Sequence, residues 1–158
     1  MEQRHWVHRV HPVLDPRVRS LCRRPYEGHP KGCPNWGKRP TCPPQAPLLG
    51  KLIDLSAPVF CVYNAFDLAG HVARMRTRHP HWTDRQAKCC LYWQGTARKA
   101  LRRKVEEFIA SRPNSIVLYC PEANGVDVTA TMASIGVELE WPPERIAYQV
   151  ALVGSPAP

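Results

Sequence analysis

The sequence has no apolar run that approaches the roughly 18 residues needed to cross a membrane. Its first residues, MEQRHWVHRVHP, carry charges and histidines where a secretory signal needs an apolar segment. We therefore expect a cytoplasmic protein with no membrane partner. In a reducing compartment, the seven cysteines are more often ligands, nucleophiles or core residues than disulfides.

The usual enzyme signatures are also missing. The sequence contains no GxxxxGK[ST], GxGxxG, GxSxG or HExxH. A catalytic Cys-His pair is left open because such residues meet only in space, and seven cysteines with seven histidines select no particular pair. Whether the protein is an enzyme is therefore open at this stage.

Positive charge is concentrated in two segments. The formal net charge is +9, with +7 on residues 1–51 and +5 on residues 83–112, whereas residues 113–158 carry −4. A basic field of this kind attracts RNA or another polyanion, and it also offsets the negative charge of thiolates around a metal. Charge alone does not separate these two uses.

The length of 158 residues and a hydrophobic content of 44% predict one domain with a real core. We expect an α/β or α+β fold over 1–158, with a cysteine- and proline-rich metal-binding loop at 22–50 and an α/β core at 51–158. Buried strands are predicted near 57–64, 115–120 and 146–153, with the amino-terminal segment as a possible fourth strand.

The longest predicted helix begins at the cap formed by Thr83 and Asp84 and continues to about Ala110. Its apolar stripe holds Cys90, Gln94, Ala97, Leu101, Val105 and Phe108, and its opposite side is basic. This pattern predicts an amphipathic helix across one face of the sheet. Cys61, Cys89 and Cys90 are interpreted mainly as packing residues.

The remaining cysteines have a different setting. Cys33, Cys42 and Cys120 are each followed by proline, which stops a helix or ladder and leaves the thiol at a rigid corner. Between Leu21 and Pro47 there is almost nothing apolar enough to fold the segment by itself. An inorganic centre would account for its order.

The cysteine spacing bears on the kind of metal. Zinc ribbons and fingers place two ligands two to four residues apart, and no such pair occurs among Cys22, Cys33 and Cys42. Widely spaced ligands on a long loop, with a fourth ligand from a distant part of the sequence, suit a centre larger than a single ion. The pattern therefore favours an iron-sulfur cluster, most simply [4Fe-4S], over zinc.

The same residues carry a resemblance to a known group of proteins. CPNWGK leading into CPP, followed far downstream by PEANGVDV, resembles an uncharacterised family of small cysteine-rich bacterial and archaeal proteins described only as predicted metal-binding. The resemblance implies that Cys22, Cys33, Cys42 and Cys120 are metal ligands. A further cysteine cluster found in other members is absent here, so electron transfer between two centres is not implied.

Two functions follow as expectations. In the first, these four cysteines hold a cluster beside a basic cleft, with a redox or sulfur-chemistry role, and three ligands instead of four would leave an iron open to substrate. In the second, a zinc-stapled basic module binds nucleic acid, with Trp36, Tyr92 and Trp93 supplying stacking. Replacement of Cys120 by Cys61, Cys89 or Cys90 as a ligand stays open.

Overall fold

The fold is described from a computed structural model that covers residues 4–26 and 29–158. Residues 1–3 and 27–28, the latter inside the predicted cysteine loop, lie outside this description. The strands are β1 (Val7–Val10), β2 (Val59–Asp67), β3 (Ile116–Leu118) and β4 (Ile146–Gly154), and the α-helices are α1 (Leu68–Arg78), α2 (Asp84–Ala87), α3 (Gln94–Ile109) and α4 (Val128–Ala133). Short 3₁₀ helices span Pro16–Arg23, Leu49–Lys51, Cys90–Tyr92 and Pro121–Asn124.

The four strands form one sheet in the order β1-β2-β4-β3, and every neighbouring pair is antiparallel. The prediction of a mixed fold with a central sheet of three to four strands is confirmed. Because the pairing is antiparallel throughout these strands, a doubly wound parallel sheet, which the sequence left open, is excluded.

The two central strands are buried on both faces, as their apolar composition predicts. Cys61 pairs with Leu152, and both side chains join a core layer on one face of the sheet. Val62 and Ala151, one residue along, face the opposite layer. Cys61 is fully buried, so its interpretation as a core residue is confirmed.

Helix α3 covers one face of this sheet. Its buried residues are Ala97, Leu101, Val105 and Phe108, which follow the predicted stripe. Phe108 packs edge-on against Phe60 of β2, with ring centroids 5.3 Å apart. The amphipathic reading of this segment is therefore confirmed for its carboxyl-terminal part.

The long helix predicted from Thr83 is interrupted, and this corrects the sequence reading. Thr83 caps only the short helix α2, after which Cys89 turns to an extended ψ of 122°. The cause is the burial of Trp93, whose ring stacks on Phe66 at 5.0 Å and whose indole N–H donates to the Lys88 carbonyl oxygen at 3.0 Å. As a consequence Cys90 is exposed and does not pack in the core.

The opposite face of the sheet is covered by irregular segments and α4. Leu49 and Ile53, which follow the cysteine loop, pack there with Val126 and Met132. The end of the loop and the segment after β3 therefore share one core layer, which places Cys120 on the same side of the molecule as the loop. No helix in the described ranges is long and apolar enough to span a bilayer.

The two-sided core predicts a large effect of truncating Leu152, which is 1% exposed. Leu152→Ala should lower the free energy of unfolding by about 2–5 kcal/mol, because the cavity cannot close between two packed layers. The matched control is Leu91→Ala, since Leu91 is 86% exposed; that change should stay within about 0.5 kcal/mol. Urea unfolding measures both, and equal losses would contradict the described core.

Candidate metal centre

Cys22 and Cys33 lie on adjoining stretches of backbone. Cys22 lies in the 3₁₀ helix Pro16–Arg23, and its carbonyl oxygen accepts a hydrogen bond from the N–H of Cys33 at 2.6 Å. Gly32 permits this approach: its φ is +82°, and an added Cβ would lie 2.5 Å from the same carbonyl oxygen. A glycine is needed here both for backbone conformation and for space.

The turn that carries Cys42 is tied to the same helix. The N–H of Cys42 donates to the Arg39 carbonyl oxygen at 3.0 Å, and its own carbonyl oxygen accepts from the N–H of Ala46 at 3.0 Å. The Arg19 guanidinium donates to the carbonyl oxygens of Pro44 and Ala46 at 2.7 and 2.6 Å. Arg19 thus links the segment after Cys42 to the helix that bears Cys22.

Cys120 comes from the far end of the chain and directly precedes the 3₁₀ helix Pro121–Asn124. The side-chain amide of the last residue of that helix donates to the Pro47 carbonyl oxygen at 2.8 Å. The next residue, Gly125, accepts from the N–H of Asp15 at 2.8 Å. These bonds attach the Cys120 segment to Pro47, near the end of the cysteine loop, and to Asp15, which precedes the loop.

The electrostatics of Cys22 show which groups surround it. Burial is the largest cause that raises the pKa of Cys22, and the neighbouring Cys33, Cys42 and Glu122 add to the rise. All of these groups are therefore close enough to act on one thiol through their charges. Two of them, Cys33 and Cys42, come from the predicted ligand set.

Cys120 shares this neighbourhood. Its pKa is raised to about 11, first by burial and then by Glu122, Cys22 and Cys42, whereas Arg98 acts in the opposite direction. The Cys120 residue is exposed to solvent. Thiols from the cysteine loop thus act on a thiol from a distant part of the sequence.

Two groups at this location were not predicted from the sequence. Glu122 is half-buried and acts on Cys22 and Cys120, and burial raises the pKa of its carboxyl group. Arg98 of α3 lies near Cys120. The only sequence signal for Glu122 is its position two residues after a candidate ligand, and Arg98 has no signal beyond the basic character of its helix.

Cys90 lies at the edge of the same region. Burial is the main cause that raises the pKa of Tyr26, and Cys33, Cys90 and Cys22 contribute to the rise. Exposure of Cys90 and its position near Tyr26 set it apart from Cys61, which lies in the core. Within the described residues, no three His, Cys, Asp or Glu side chains are close enough together to surround a single metal ion.

The aromatic residues proposed for nucleic-acid stacking lie in different settings. Trp93 is 9% exposed and belongs to the core. The Arg23 guanidinium covers the ring of Trp36 at 5.5 Å. Tyr92 is 53% exposed and contacts Trp82, with ring centroids 5.2 Å apart. Only Tyr92 keeps most of its ring accessible.

Comparisons with known proteins add nothing to this geometry. No protein-family model matches the sequence, and no curated protein or solved structure matches it significantly. The resemblance to cysteine-rich metal-binding proteins therefore stays a prediction.

The seven thiols should differ sharply in reactivity toward iodoacetamide in the metal-free, reduced protein. Cys61 is buried and its pKa is raised from 9.0 to about 11, so at pH 8 its thiolate fraction falls about 100-fold, in addition to the protection by burial. Cys90, which is exposed, should label first. Mass spectrometry of labelled peptides measures the rates.

Unfolding in urea is the control for this labelling. The rates of Cys61 and Cys90 should become similar there, because local sequence alone does not protect either thiol. Rapid labelling of Cys61 in the native protein would contradict the described core.

The close approach of the Cys22 and Cys33 backbones predicts that Gly32→Ala is more damaging than Gly136→Ala. Both glycines have positive φ, +82° and +81°, but an added Cβ at Gly136 meets nothing within 4 Å. Gly136→Ala should therefore cost only the about 1–2 kcal/mol of a left-handed alanine. Gly32→Ala adds a backbone clash and should cost clearly more in urea unfolding; equal costs would refute the close approach.

Proposed function

We propose that this protein binds a [4Fe-4S] cluster through the thiolates of Cys22, Cys33, Cys42 and Cys120, beside a basic surface, and uses it in redox or sulfur chemistry. The observation that supports this most is that hydrogen bonds bring these segments together, Cys33 to Cys22 at 2.6 Å and Asn124 to Pro47 at 2.8 Å. In keeping with this, Cys33 and Cys42 raise the pKa of Cys22, and Cys22 and Cys42 raise that of Cys120. Cysteines that only pack in a core do not need to gather in this way.

Electrostatic repulsion between an ionised thiol and the neighbouring ionisable groups is the physical reason for expecting a cationic centre. Ionising one of these thiols is opposed by burial and by the charges of its neighbours. A bound metal removes both costs, because it supplies positive charge at the point where the thiolates gather. Binding would then release protons and become tighter as pH rises.

The arrangement favours a cluster over a single zinc ion. A tetrahedral zinc site needs four ligands at about 2.3 Å from one point. In a four-iron cluster each thiolate binds a different iron, so the sulfurs interact across the cluster without meeting at one point. Cys33 and Cys42 act on the pKa of Cys22, and Cys22 and Cys42 act on that of Cys120, although no three such side chains in the described residues surround one position.

The surrounding charge is suited to such a centre. Positive residues dominate the cysteine loop, and Arg98 lies beside Cys120. They would offset the negative charge of a thiolate-ligated cluster. Glu122 adds an oxygen donor next to Cys22 and Cys120, and would become relevant if only three thiolates bind and one iron is left open.

A second candidate is a zinc-stapled module that binds nucleic acid. The observation in its favour is that α3 exposes Arg98, Lys99, Arg102 and Arg103. In this case the metal would order the loop, and affinity for RNA or DNA would fall steeply with salt. Metal content separates the two candidates.

The test is anaerobic purification followed by an absorption spectrum and by iron, sulfide and zinc analysis. We expect broad absorbance near roughly 400 nm with about four irons and four sulfides per chain. Replacing any of Cys22, Cys33, Cys42 or Cys120 by serine should lower the iron content and bleach the absorbance. Cys90→Ser is the matched control: Cys90 is exposed like Cys120 but lies outside the proposed ligand set, so this change should leave both unchanged.

Two results would contradict the proposal. One zinc per chain without colour would replace it by the zinc-stapled module. Stoichiometric loss of iron in Cys90→Ser, with full retention in Cys120→Ser, would give the fourth ligand position to Cys90.

A further inference from the structure

A small cavity of about 140 Å³ lies between the beginning of α3 and residues 139–149. The residues of its wall that matter here are Trp93, Gln94, Arg98, Glu140, Trp141 and Tyr148. Drug-sized ligands use cavities of about 300 Å³ or more. This cavity therefore admits one ring system and leaves the rest of a larger ligand outside.

Trp141 gives the cavity an accessible aromatic face. It is 70% exposed, yet its indole N–H donates to the Thr129 hydroxyl oxygen at 3.0 Å, which anchors the ring. An anchored tryptophan with an open face is a platform on which a planar group can stack.

Arg98 is the available cation of this cavity. It is exposed and makes no salt bridge with any residue in the described ranges. The opposing carboxylate of Glu140 is already occupied by Arg145 at 3.2 Å and by the backbone N–H groups of Glu144 and Arg145 at 3.0 Å. An incoming anion therefore meets a free guanidinium and a carboxylate that is already bound.

The cavity also holds an amide that is free to pair. The side chain of Gln149 is used at both ends, by Asn64 at 2.8 Å and by the Ala147 carbonyl oxygen at 2.9 Å. Gln94 has no side-chain hydrogen bond to the part of the chain that the structure describes. A planar ligand with donors and acceptors on its edge would satisfy it.

Further cations continue from the cavity along α3. Arg102, one turn after Arg98, lies over the ring of Tyr119 at 5.7 Å, next to Cys120. A single aromatic acid would use only Arg98, whereas a chain of phosphates would use the whole row.

We propose that this cavity binds one nucleobase, stacked on Trp141 with its edge toward Gln94 and its phosphate on Arg98, and presents it to the centre at Cys120. The nucleobase with its phosphate belongs either to a free nucleotide or to an RNA strand. The idea that the nucleotide is a substrate of the metal centre rests on the proposed function. Binding of the nucleotide itself depends only on the cavity.

Calorimetric titration with defined probes tests the binding step. AMP and a ten-nucleotide single-stranded RNA should bind, whereas adenosine, which lacks phosphate, and ribose 5-phosphate, which lacks a base, should each bind at least about tenfold more weakly than AMP. Tighter, strongly salt-dependent binding of the RNA assigns the ligand to a strand along α3; equal affinity for AMP and RNA assigns it to the free nucleotide.

Variants on the surface keep the test specific. Trp141→Ala and Arg98→Gln should each weaken AMP binding about tenfold. Lys99→Gln removes one positive charge from the same helix but outside the cavity, and should change the affinity for AMP less than about twofold. Failure of both AMP and RNA to bind, unchanged affinity in Trp141→Ala, or equal losses in Arg98→Gln and Lys99→Gln would overturn the inference.

Metal analysis of the same samples separates this inference from the proposed function. Trp141→Ala should keep the iron and sulfide content of the unaltered protein, because Trp141 belongs to the cavity and not to the metal centre. Nucleotide binding in a protein that assembles no cluster would refute the proposed function and retain the binding site. A fully loaded cluster without nucleotide binding would refute the site alone.

Discussion

The attachment of the segment after β3 to both ends of the cysteine loop is the constraint on which the candidate site depends. The bond from Asn124 to Pro47 and the bond from Asp15 to Gly125 join parts of the chain that are far apart in sequence. Each satisfies a backbone group that would otherwise be costly to bury. Together with the shared core layer, they hold the Cys120 segment against the segment that bears Cys22.

The two-sided sheet explains why basic and sulfur-rich parts meet. The central strands β2 and β4 carry apolar side chains on both faces, so each face needs its own cover. Helix α3 takes one face, and the end of the cysteine loop with α4 takes the other. Residues at the beginning of α3 and at the end of β3 then approach each other, which brings Arg98 beside Cys120.

The thiols themselves oppose this arrangement. Burial and mutual repulsion raise the pKa of Cys22 and Cys120, so the ionised forms are unfavourable in the protein alone. A chain that gathers such groups at an energetic cost is suited to a partner of opposite charge. The cavity at the start of α3 presents the Arg98 guanidinium and an anchored indole, and so would place recognition of a planar anion close to the proposed metal centre.

Local pattern alone determined the central strands, the apolar stripe of α3 and the burial of Cys61, because each depends on the apolar pattern of a single segment. Strand order, the break before Trp93 and the exposure of Cys90 depended on tertiary packing, since Trp93 is buried by Phe66 from another element. Cys-Pro steps indicated three of the candidate ligands, but Glu122, Arg98 and Trp141 follow no periodic pattern. Their roles arise from contacts between elements, and periodicity records only which side of its own element a residue faces.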